Sequence, residues 1–202
     1  MSNNIIRYNT SSPDIGDYFK EGFALFKQSA GTFIVASILF WLASIASFSI
    51  LFGPLLAGYM LIFVERIRGN DVKVFDIFKG FNRFIPIVIV FYLTKAIIAI
   101  GIFLLVIPGL IFISWFLFVE LLILDKKIGV FEAMKLNKRM SSERGIWNYV
   151  ILNVVLVSIL SILGGISFGI GTVIITPVVF AIYAVAYEDA FGEPISGSDM
   201  SG

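Results

Sequence analysis

Long apolar runs alternate along the chain with short segments that carry nearly all of its charges. A helix needs about 20 predominantly apolar residues to cross a bilayer. The apolar runs are Thr32–Ser49, Pro54–Phe63, Ile85–Val106, Pro108–Leu124, Ile146–Leu163 and Thr172–Tyr187. The second run is short, so it either crosses with little tilt or is partly re-entrant. The pattern predicts an all-α integral membrane protein with six transmembrane helices in three hairpins.

Proline and glycine explain why each pair of runs forms a hairpin and not one long helix. Pro54 and Pro108 stand where the second and fourth helices begin, a position where the missing N–H has no intrahelical partner to lose. Gly53 and Gly109 supply the backbone freedom for a tight reversal. Pro177 lies a few residues inside the sixth run, where it either kinks the helix or marks its true start.

The charges predict the orientation of the hairpins. All Lys and Arg residues except Lys95 lie in residues 1–30, 65–84, 125–145 and 188–202. The three opposite connections, near residues 50, 107 and 168, carry no charge. Because basic residues near span ends stay in the cytoplasm, the sequence predicts that both termini are cytoplasmic and that the three uncharged connections lie on the outside.

The amino-acid composition excludes several classes of protein and of functional site. Of 202 residues, 58% are hydrophobic and 14% are charged, whereas soluble domains are about 25% charged. The chain has no Cys and no His, which excludes a thiolate nucleophile, an imidazole base and a Cys/His zinc site. A net charge of +1 gives no reason to expect nucleic-acid binding. We expect no metal, no cofactor and no enzymatic activity.

A short pattern occurs three times, each time just before a predicted hairpin. It consists of an acid, any residue, a large apolar residue and lysine, as in Asp17–Lys20, Asp76–Lys79 and, more loosely, Glu132–Lys135. The spacing predicts repeat units of about residues 12–69, 70–128 and 129–190 in a single membrane domain, residues 1–190, followed by a flexible acidic tail, residues 191–202.

Each repeat unit is expected to open with an amphipathic helix that lies in the cytoplasmic membrane interface, its apolar face down and its lysines outward. One interpretation is that these helices only orient the hairpins. The other is that they sense or bind lipid, or dock a partner.

Four polar residues are candidates for an intramembrane site: Lys95, Glu120, Asn153 and Glu65. Lys95 lies about 15 Å into the third span at 1.5 Å per residue, where insertion costs at least about 2.5–3.5 kcal/mol. Glu120, on the next span, is its natural partner. The two either form a structural ion pair or line a polar cavity for a headgroup, a proton or a small solute. Lys95 alone can also extend to the interface.

Residues 125–145 carry a net charge of +3 and the densest basic cluster. Its members, candidate contacts for anionic lipid headgroups, are Lys126, Lys127, Lys135, Lys138, Arg139 and Arg144. Each basic residue near an anionic leaflet contributes roughly 1 kcal/mol. The plainer interpretation is an ordinary signal for cytoplasmic orientation.

Several short motifs together suggest a family. They are Gly53–Tyr59, Arg66–Gly69, Asp76–Phe81, Ile107–Gly109, Leu124-Asp125, Thr176-Pro177 and Ala186–Asp189. With these motifs the chain resembles the uncharacterised bacterial six-span proteins of the YciC-like kind, and it is similar to the membrane domain of some glycerophosphodiester phosphodiesterases. The resemblance implies an inner-membrane protein of envelope-associated role, with no catalytic residues to carry over.

Two functions follow from these observations. The first is a non-enzymatic inner-membrane protein that supports envelope or lipid homeostasis, with the lipid bilayer, including anionic lipids, as its partner. The second is a small-solute or ion transporter or channel that uses a polar layer formed by Lys95 and Glu120. An intramembrane enzyme is disfavoured because no nucleophile and base occur at a suitable spacing.

Overall fold

The computed structural model describes residues 8–47, 50–167 and 170–192, and every regular element in these ranges is helical. A 3-10 helix, Val74–Arg83, precedes α4. The α-helices are α1 (Ile15–Gln28), α2 (Ala30–Ala46), α3 (Phe52–Ile67), α4 (Phe84–Leu104), α5 (Val106–Phe116), α6 (Val119–Asp125), α7 (Val130–Arg144), α8 (Ile146–Ile166) and α9 (Ile170–Phe191).

Four helical stretches within the described residues are long and apolar enough to cross a membrane: Val74–Leu104, Val106–Asp125, Ile146–Ile166 and Gly171–Phe191. Helices α1 and α2 meet at 94° and provide a fifth if the bent pair counts as one span. The helical class and these four to five apolar stretches confirm part of the sequence prediction. The sixth span and the threefold repeat stay predictions, because α3, which contains the run Pro54–Phe63, has only 16 residues.

Helix α3 is a central helix whose surface is covered by protein. Almost every residue from Gly53 to Val64 is buried. All residues from Val119 to Leu124 in α6 are buried as well, and so is nearly all of α9 from Val179 to Ala190. By contrast α2, α4 and α8 expose large apolar side chains such as Ile45, Phe103 and Ile166. Helices α3, α6 and most of α9 therefore lie inside, α2, α4 and α8 lie outside, and α5 is partly buried.

Two glycines let the 3-10 helix lie directly against α3. A Cβ atom on Gly58 would collide with the carbonyl oxygen of Ile77, and one on Gly80 would collide with the carbonyl oxygen of Pro54. The two backbones are thus in contact, which only the absence of a side chain allows. The structure forms a 3-10 helix where the sequence predicts an amphipathic α-helix, and Ile77 and Gly80 are the residues of this segment that it buries.

The predicted hairpin breaks fall at or near helix starts. Pro54 is the third residue of α3 and Pro108 the third of α5, where the backbone N–H groups have no intrahelical partner. A Cβ atom on Gly53 would meet Phe91 of α4, so this glycine lets α4 approach α3. A Cβ atom on Gly109 would meet Ile102, so that glycine lets α4 and α5 close tightly.

Pro177 lies well inside α9, and the helix continues through it. Proline has no N–H, so the carbonyl oxygen of Val173, four residues earlier, loses its helical partner. The hydroxyl of Ser37 on α2 donates a hydrogen bond to this oxygen at 2.8 Å. Ser37 is fully buried, and its hydroxyl compensates in an apolar environment for the bond that proline removes.

Two predicted boundaries differ from the structure or lie outside the residues that it describes: the start of the acidic tail and the end of the first span. Phe191, assigned from the sequence to the flexible tail, is the last residue of α9 and is buried. The rest of that tail from residue 193 onwards, and Ser49 at the end of the first predicted span, lie outside the described residues.

We expect Gly58→Ala to destabilise the protein strongly, because α3 and the 3-10 helix would have to separate. Overpacking of this kind typically costs about 1–3 kcal/mol or more. Thermal unfolding of the detergent-purified protein, followed by size-exclusion chromatography, measures the effect.

Gly31→Ala in α2 is the matched control, since a Cβ atom there meets nothing within 4 Å. It should leave the unfolding temperature unchanged or raise it slightly. Equal loss of stability in the two variants would contradict the close approach at Gly58.

Candidate functional site

A cluster of charged side chains joins the carboxyl ends of the three central helices. Arg68 at the end of α3 donates two hydrogen bonds to Asp125 at the end of α6, at 2.6 and 2.9 Å. Its Nε donates to Glu188 of α9 at 2.8 Å. The hydroxyl of Tyr187 donates to Asp125 at 2.7 Å, and Lys126 Nζ lies 3.6 Å from the same carboxylate. We call Arg68, Asp125, Tyr187 and Glu188 the Arg68 cluster.

The geometry of the Arg68 cluster indicates that it stabilises the packing of α3, α6 and α9 strongly. A guanidinium that binds a carboxylate through two parallel bonds gains both energy and orientation. The Asp125 side chain is 7% exposed, so solvent screens this interaction little. The hydrogen bonds to Asp125, with the nearby Asp125 and Glu188 charges, raise the pKa of Arg68 above its usual range. The guanidinium therefore stays charged and holds α3, α6 and α9 together.

A second cluster surrounds Arg144 at the end of α7. Its Nη2 donates to the carboxylate of Asp189, and its Nε donates to the carbonyl oxygen of Ser11 at 2.6 Å. Asp189 also accepts hydrogen bonds from the Tyr18 hydroxyl and, at 3.2 Å, from the Asn9 amide. Burial by itself lowers the pKa of Arg144, but the hydrogen bond to Asp189 and the electrostatic interactions with Tyr149, Tyr18 and Asp189 together outweigh it, and the pKa is raised. These contacts bind the segment before α1 to α7 and α9.

The position of Arg144 differs from the headgroup contact predicted for it. Only 2% of the residue is exposed, because α7 turns Asn137, Ser141 and Arg144 towards the protein. Lys126 is half-buried against Asp125. The remaining members of the basic cluster are exposed: Lys127, Lys135, Lys138 and Arg139. We call these four residues the basic face.

Together the two clusters connect all the charged segments. Asn9 and Ser11 reach α9 and α7, Arg68 reaches α6 and α9, and Arg83 donates to the carbonyl oxygen of Lys127 at 2.7 Å. The charges that the sequence distributes over four segments are thus brought to one end of the bundle.

The apolar stretch Val106–Asp125 is interrupted between α5 and α6, and α7 closes the gap. The last carbonyl oxygens of a helix have no intrahelical partner. The amide of Asn137 donates to the carbonyl oxygens of Ser114, at 3.2 Å, and Trp115, at 2.6 Å. The Ser141 and Ser114 hydroxyls bond each other beside it. A helix predicted as interfacial therefore supplies the buried polar groups that the interruption needs.

Lys95 and Glu120 lie together, as their positions in the sequence suggest. Lys95 Nζ is 3.7 Å from Glu120 Oε1 and 5.1 Å from the centre of the Phe91 ring. Glu120 is 5% exposed, and its Oε1 has no hydrogen-bond partner among the described residues. The Lys95 side chain is 49% exposed on the outside of the bundle. The pair thus combines a buried carboxylate with an accessible amine.

The other two predicted members of the polar site have different partners. Asn153 accepts a hydrogen bond from the Tyr183 hydroxyl at 2.7 Å, between α8 and α9. Glu65 accepts one from the Asn70 amide and lies 3.8 Å from Arg68. Asn153 therefore joins two helices, and Glu65 belongs with the Arg68 cluster rather than with Lys95.

Aromatic side chains next to lysines are exposed on the three helices that precede α2, α4 and α8. Phe23 of α1 is half-exposed, with Lys27 Nζ 4.5 Å from its ring centre. Phe75 of the 3-10 helix and Phe131 of α7 are 74% and 83% exposed. These helices bury one face in the protein and present phenylalanine and lysine on another. An apolar ring beside a cation suits the boundary between headgroups and acyl chains.

Sequence reasoning missed the Arg68 cluster and the Arg144 cluster. A signal was present: opposite charges directly follow the second helix of each predicted hairpin, at Arg68, Asp125 and Glu188. The described residues contain no group of three or more acidic, His or Cys side chains placed to hold a metal ion.

We expect Arg68→Gln to lower the unfolding temperature markedly, because it leaves Asp125 and Glu188 without their shared cation. Removing one partner of a hydrogen-bonded, largely buried charge pair costs about 3 kcal/mol. Arg66→Gln is the control: Arg66 is as exposed as Arg68, but its ion pair with fully exposed Asp71 is 3.9 Å long. Similar losses in both variants would contradict a special role for Arg68.

We expect Asn137→Leu to destabilise the protein by about 1–3 kcal/mol, because the carbonyl oxygens of Ser114 and Trp115 lose their donor. Thermal unfolding in detergent measures it. Ser142→Leu on the exposed face of the same helix is the control. An unchanged melting temperature for Asn137→Leu would show that the amide is dispensable.

The comparisons with known proteins found no relative of this chain. No protein-family profile, curated protein or solved structure matches the chain. Its functional assignment rests on its own side chains.

Proposed function

We propose that this chain is a non-enzymatic protein of the bacterial inner membrane that supports envelope or lipid homeostasis by binding anionic phospholipid headgroups. Its interfacial helices and its basic face are the contact surfaces. The resemblance to YciC-like membrane proteins points to the same setting.

For the arrangement in the membrane we propose six spans in three repeated hairpins, with both termini in the cytoplasm. The convergence of the charged segments at one end of the bundle supports this orientation. The uncharged connection around Phe103 to Ile107, whose apolar side chains are exposed, suits the opposite side. In the proposal α3 is the shortest span, surrounded by the others.

The observation that carries the proposal is the exposed phenylalanine–lysine pair on each of the three helices. Lysine follows phenylalanine by four residues in Phe23/Lys27, Phe75/Lys79 and Phe131/Lys135, and all six side chains are exposed. In the α-helices α1 and α7 this spacing places both side chains on one face. In the 3-10 helix, where residues three apart align, Phe75 and Lys79 are both exposed but point about 120° apart. A ring immersed at the level of the acyl chains brings the amine to the level of the phosphates.

The basic face gives the surface its preference for anionic lipid. Lys127, Lys135, Lys138 and Arg139 are exposed close to one another in the chain, and Lys138 Nζ lies 4.2 Å from the centre of the Trp115 ring. Roughly 1 kcal/mol per basic residue favours an anionic leaflet. This attraction weakens as salt screens the charges.

The alternative function, transport of a small solute or ion at Lys95 and Glu120, is favoured by the 3.7 Å distance between the two groups. The amine, however, lies on the outside of the bundle, where it is accessible to lipid. This favours a lipid ligand over a solute.

Native mass spectrometry of the detergent-extracted protein tests the proposal. We expect wild type to retain phosphatidylglycerol in preference to phosphatidylcholine. Lys135→Gln/Lys138→Gln should weaken phosphatidylglycerol binding about thirtyfold, from two basic residues at roughly 1 kcal/mol each.

Lys20→Gln/Lys73→Gln is the matched control: it removes two exposed lysines outside the basic face and outside the phenylalanine–lysine pairs. It should change binding much less. Equal retention of the two lipids by wild type, or equal losses in both double variants, would argue against headgroup binding at the basic face.

A further inference from the structure

Lys95 occupies an unusual place on the outer surface of the protein. It is eleven residues beyond Phe84, the first residue of α4, which corresponds to about 16 Å along the helix axis. On the outward side of α4, Ile85 and Ile89 before it and Ile100 and Phe103 after it are all exposed. An accessible amine is therefore framed along the helix by apolar side chains that suit contact with acyl chains.

The ion pair with Glu120 satisfies this amine only in part. At 3.7 Å the pair is longer than a hydrogen bond, and half of the Lys95 side chain remains accessible. A lysine at this depth is tolerated where snorkelling, local thinning of the bilayer or penetrating water brings polar groups to it. The polar group that a membrane supplies with a complementary charge is the phosphate of a phospholipid.

A second cation contacts the same interrupted stretch nearer the basic face. Lys138 of α7 lies over the Trp115 ring, and Trp115 and Glu120 are five residues apart on either side of the interruption between α5 and α6. Helix α7 packs along both of these helices. Lys138, a member of the basic face, and Lys95 thus offer positive charge on the two sides of one interruption.

We propose that phospholipid phosphates pass from the basic face into the apolar region beside the interruption between α5 and α6, where Lys138 and Lys95 lie on its two sides, so that the protein accelerates the translocation of phospholipids between the two leaflets. This inference rests on the proposed headgroup binding at the basic face. The ligand is the phosphate of a membrane lipid, not free phosphate, because Lys95 lies on the outer surface where lipids have access. No bond is made or broken; the two lysines lower the barrier to moving a charged headgroup through apolar surroundings.

The test is translocation in vesicles of phosphatidylethanolamine and phosphatidylglycerol that contain a trace of acyl-labelled fluorescent phosphatidylglycerol. Dithionite quenches the label in the outer leaflet, and translocation exposes the inner pool to it. We expect the wild-type protein to empty the inner pool faster than protein-free vesicles do. Lys95→Gln should slow the protein-dependent rate about fivefold, from roughly one basic residue's attraction to the phosphate.

Glu120→Gln separates this role from a purely structural ion pair. It removes the charge that competes with phosphate for Lys95, so translocation should be retained or become faster. Equal losses of rate in Lys95→Gln and Glu120→Gln would overturn the proposal.

Lys95→Arg keeps the charge and should keep the translocation rate. Lys20→Gln removes an exposed lysine elsewhere and should have no effect on it. If Lys95→Gln fails to fold, Lys95→Gln/Glu120→Gln leaves neither charge alone and should show the same loss of rate.

Further measurements distinguish lipid phosphate from inorganic phosphate as the ligand. They also distinguish the translocation proposal from the proposed headgroup binding. Uptake of labelled inorganic phosphate without lipid translocation would overturn the inference in favour of a solute. Wild type that retains phosphatidylglycerol but translocates no faster than protein-free vesicles overturns this inference alone. Wild type without selective retention removes the proposed function itself. Lys95→Gln should retain phosphatidylglycerol as wild type does while its translocation slows.

Discussion

The Arg68 guanidinium is the interaction on which the arrangement of the central helices depends. It bonds Asp125 and Glu188, so that one side chain joins the ends of α3, α6 and α9. Apolar contacts alone specify the relative height of such helices poorly, because one apolar surface slides over another at little cost. A bidentate charge pair has a defined geometry and fixes the three ends at a common level. The peripheral helices then pack around this centre.

A second constraint acts inside the apolar stretches, where no water is present to satisfy a free carbonyl group. Pro177 and the interruption between α5 and α6 each leave such groups without helical partners. Ser37 and Asn137, both buried, supply the missing hydrogen bonds from neighbouring helices. Polar residues inside this protein are thus first of all partners for its own backbone. Lys95 differs, because half of its side chain stays accessible, and this accessibility is the reason for proposing that it contacts lipid.

The sequence predicted some of the candidate site for reasons of local physics. Lys95 and Glu120 could be paired because two deep, opposite charges on adjacent helices are costly unless they meet. Arg144 could not be placed in this way. It looks like any other basic residue of the cluster around it, and only the packing of α7 against α5 and the position of Asp189 show that it is buried. The Arg68 cluster left a signal, opposite charges after the second helix of each predicted hairpin, but the pairing itself depends on residues that lie 57 and 120 positions apart.

By itself the sequence determined the helical class, the hairpin breaks and the segregation of charge, because these follow from apolar length, from the missing N–H of proline and from where charged residues can remain hydrated. Tertiary structure alone decided which helices are central, which of the basic residues are exposed and which segment becomes a 3-10 helix. Those outcomes depend on close contacts between distant parts of the chain, such as Gly58 against Ile77 and Gly80 against Pro54. No local pattern encodes which two backbone segments will lie against each other, so the set of exposed basic residues is decided only when the bundle is assembled.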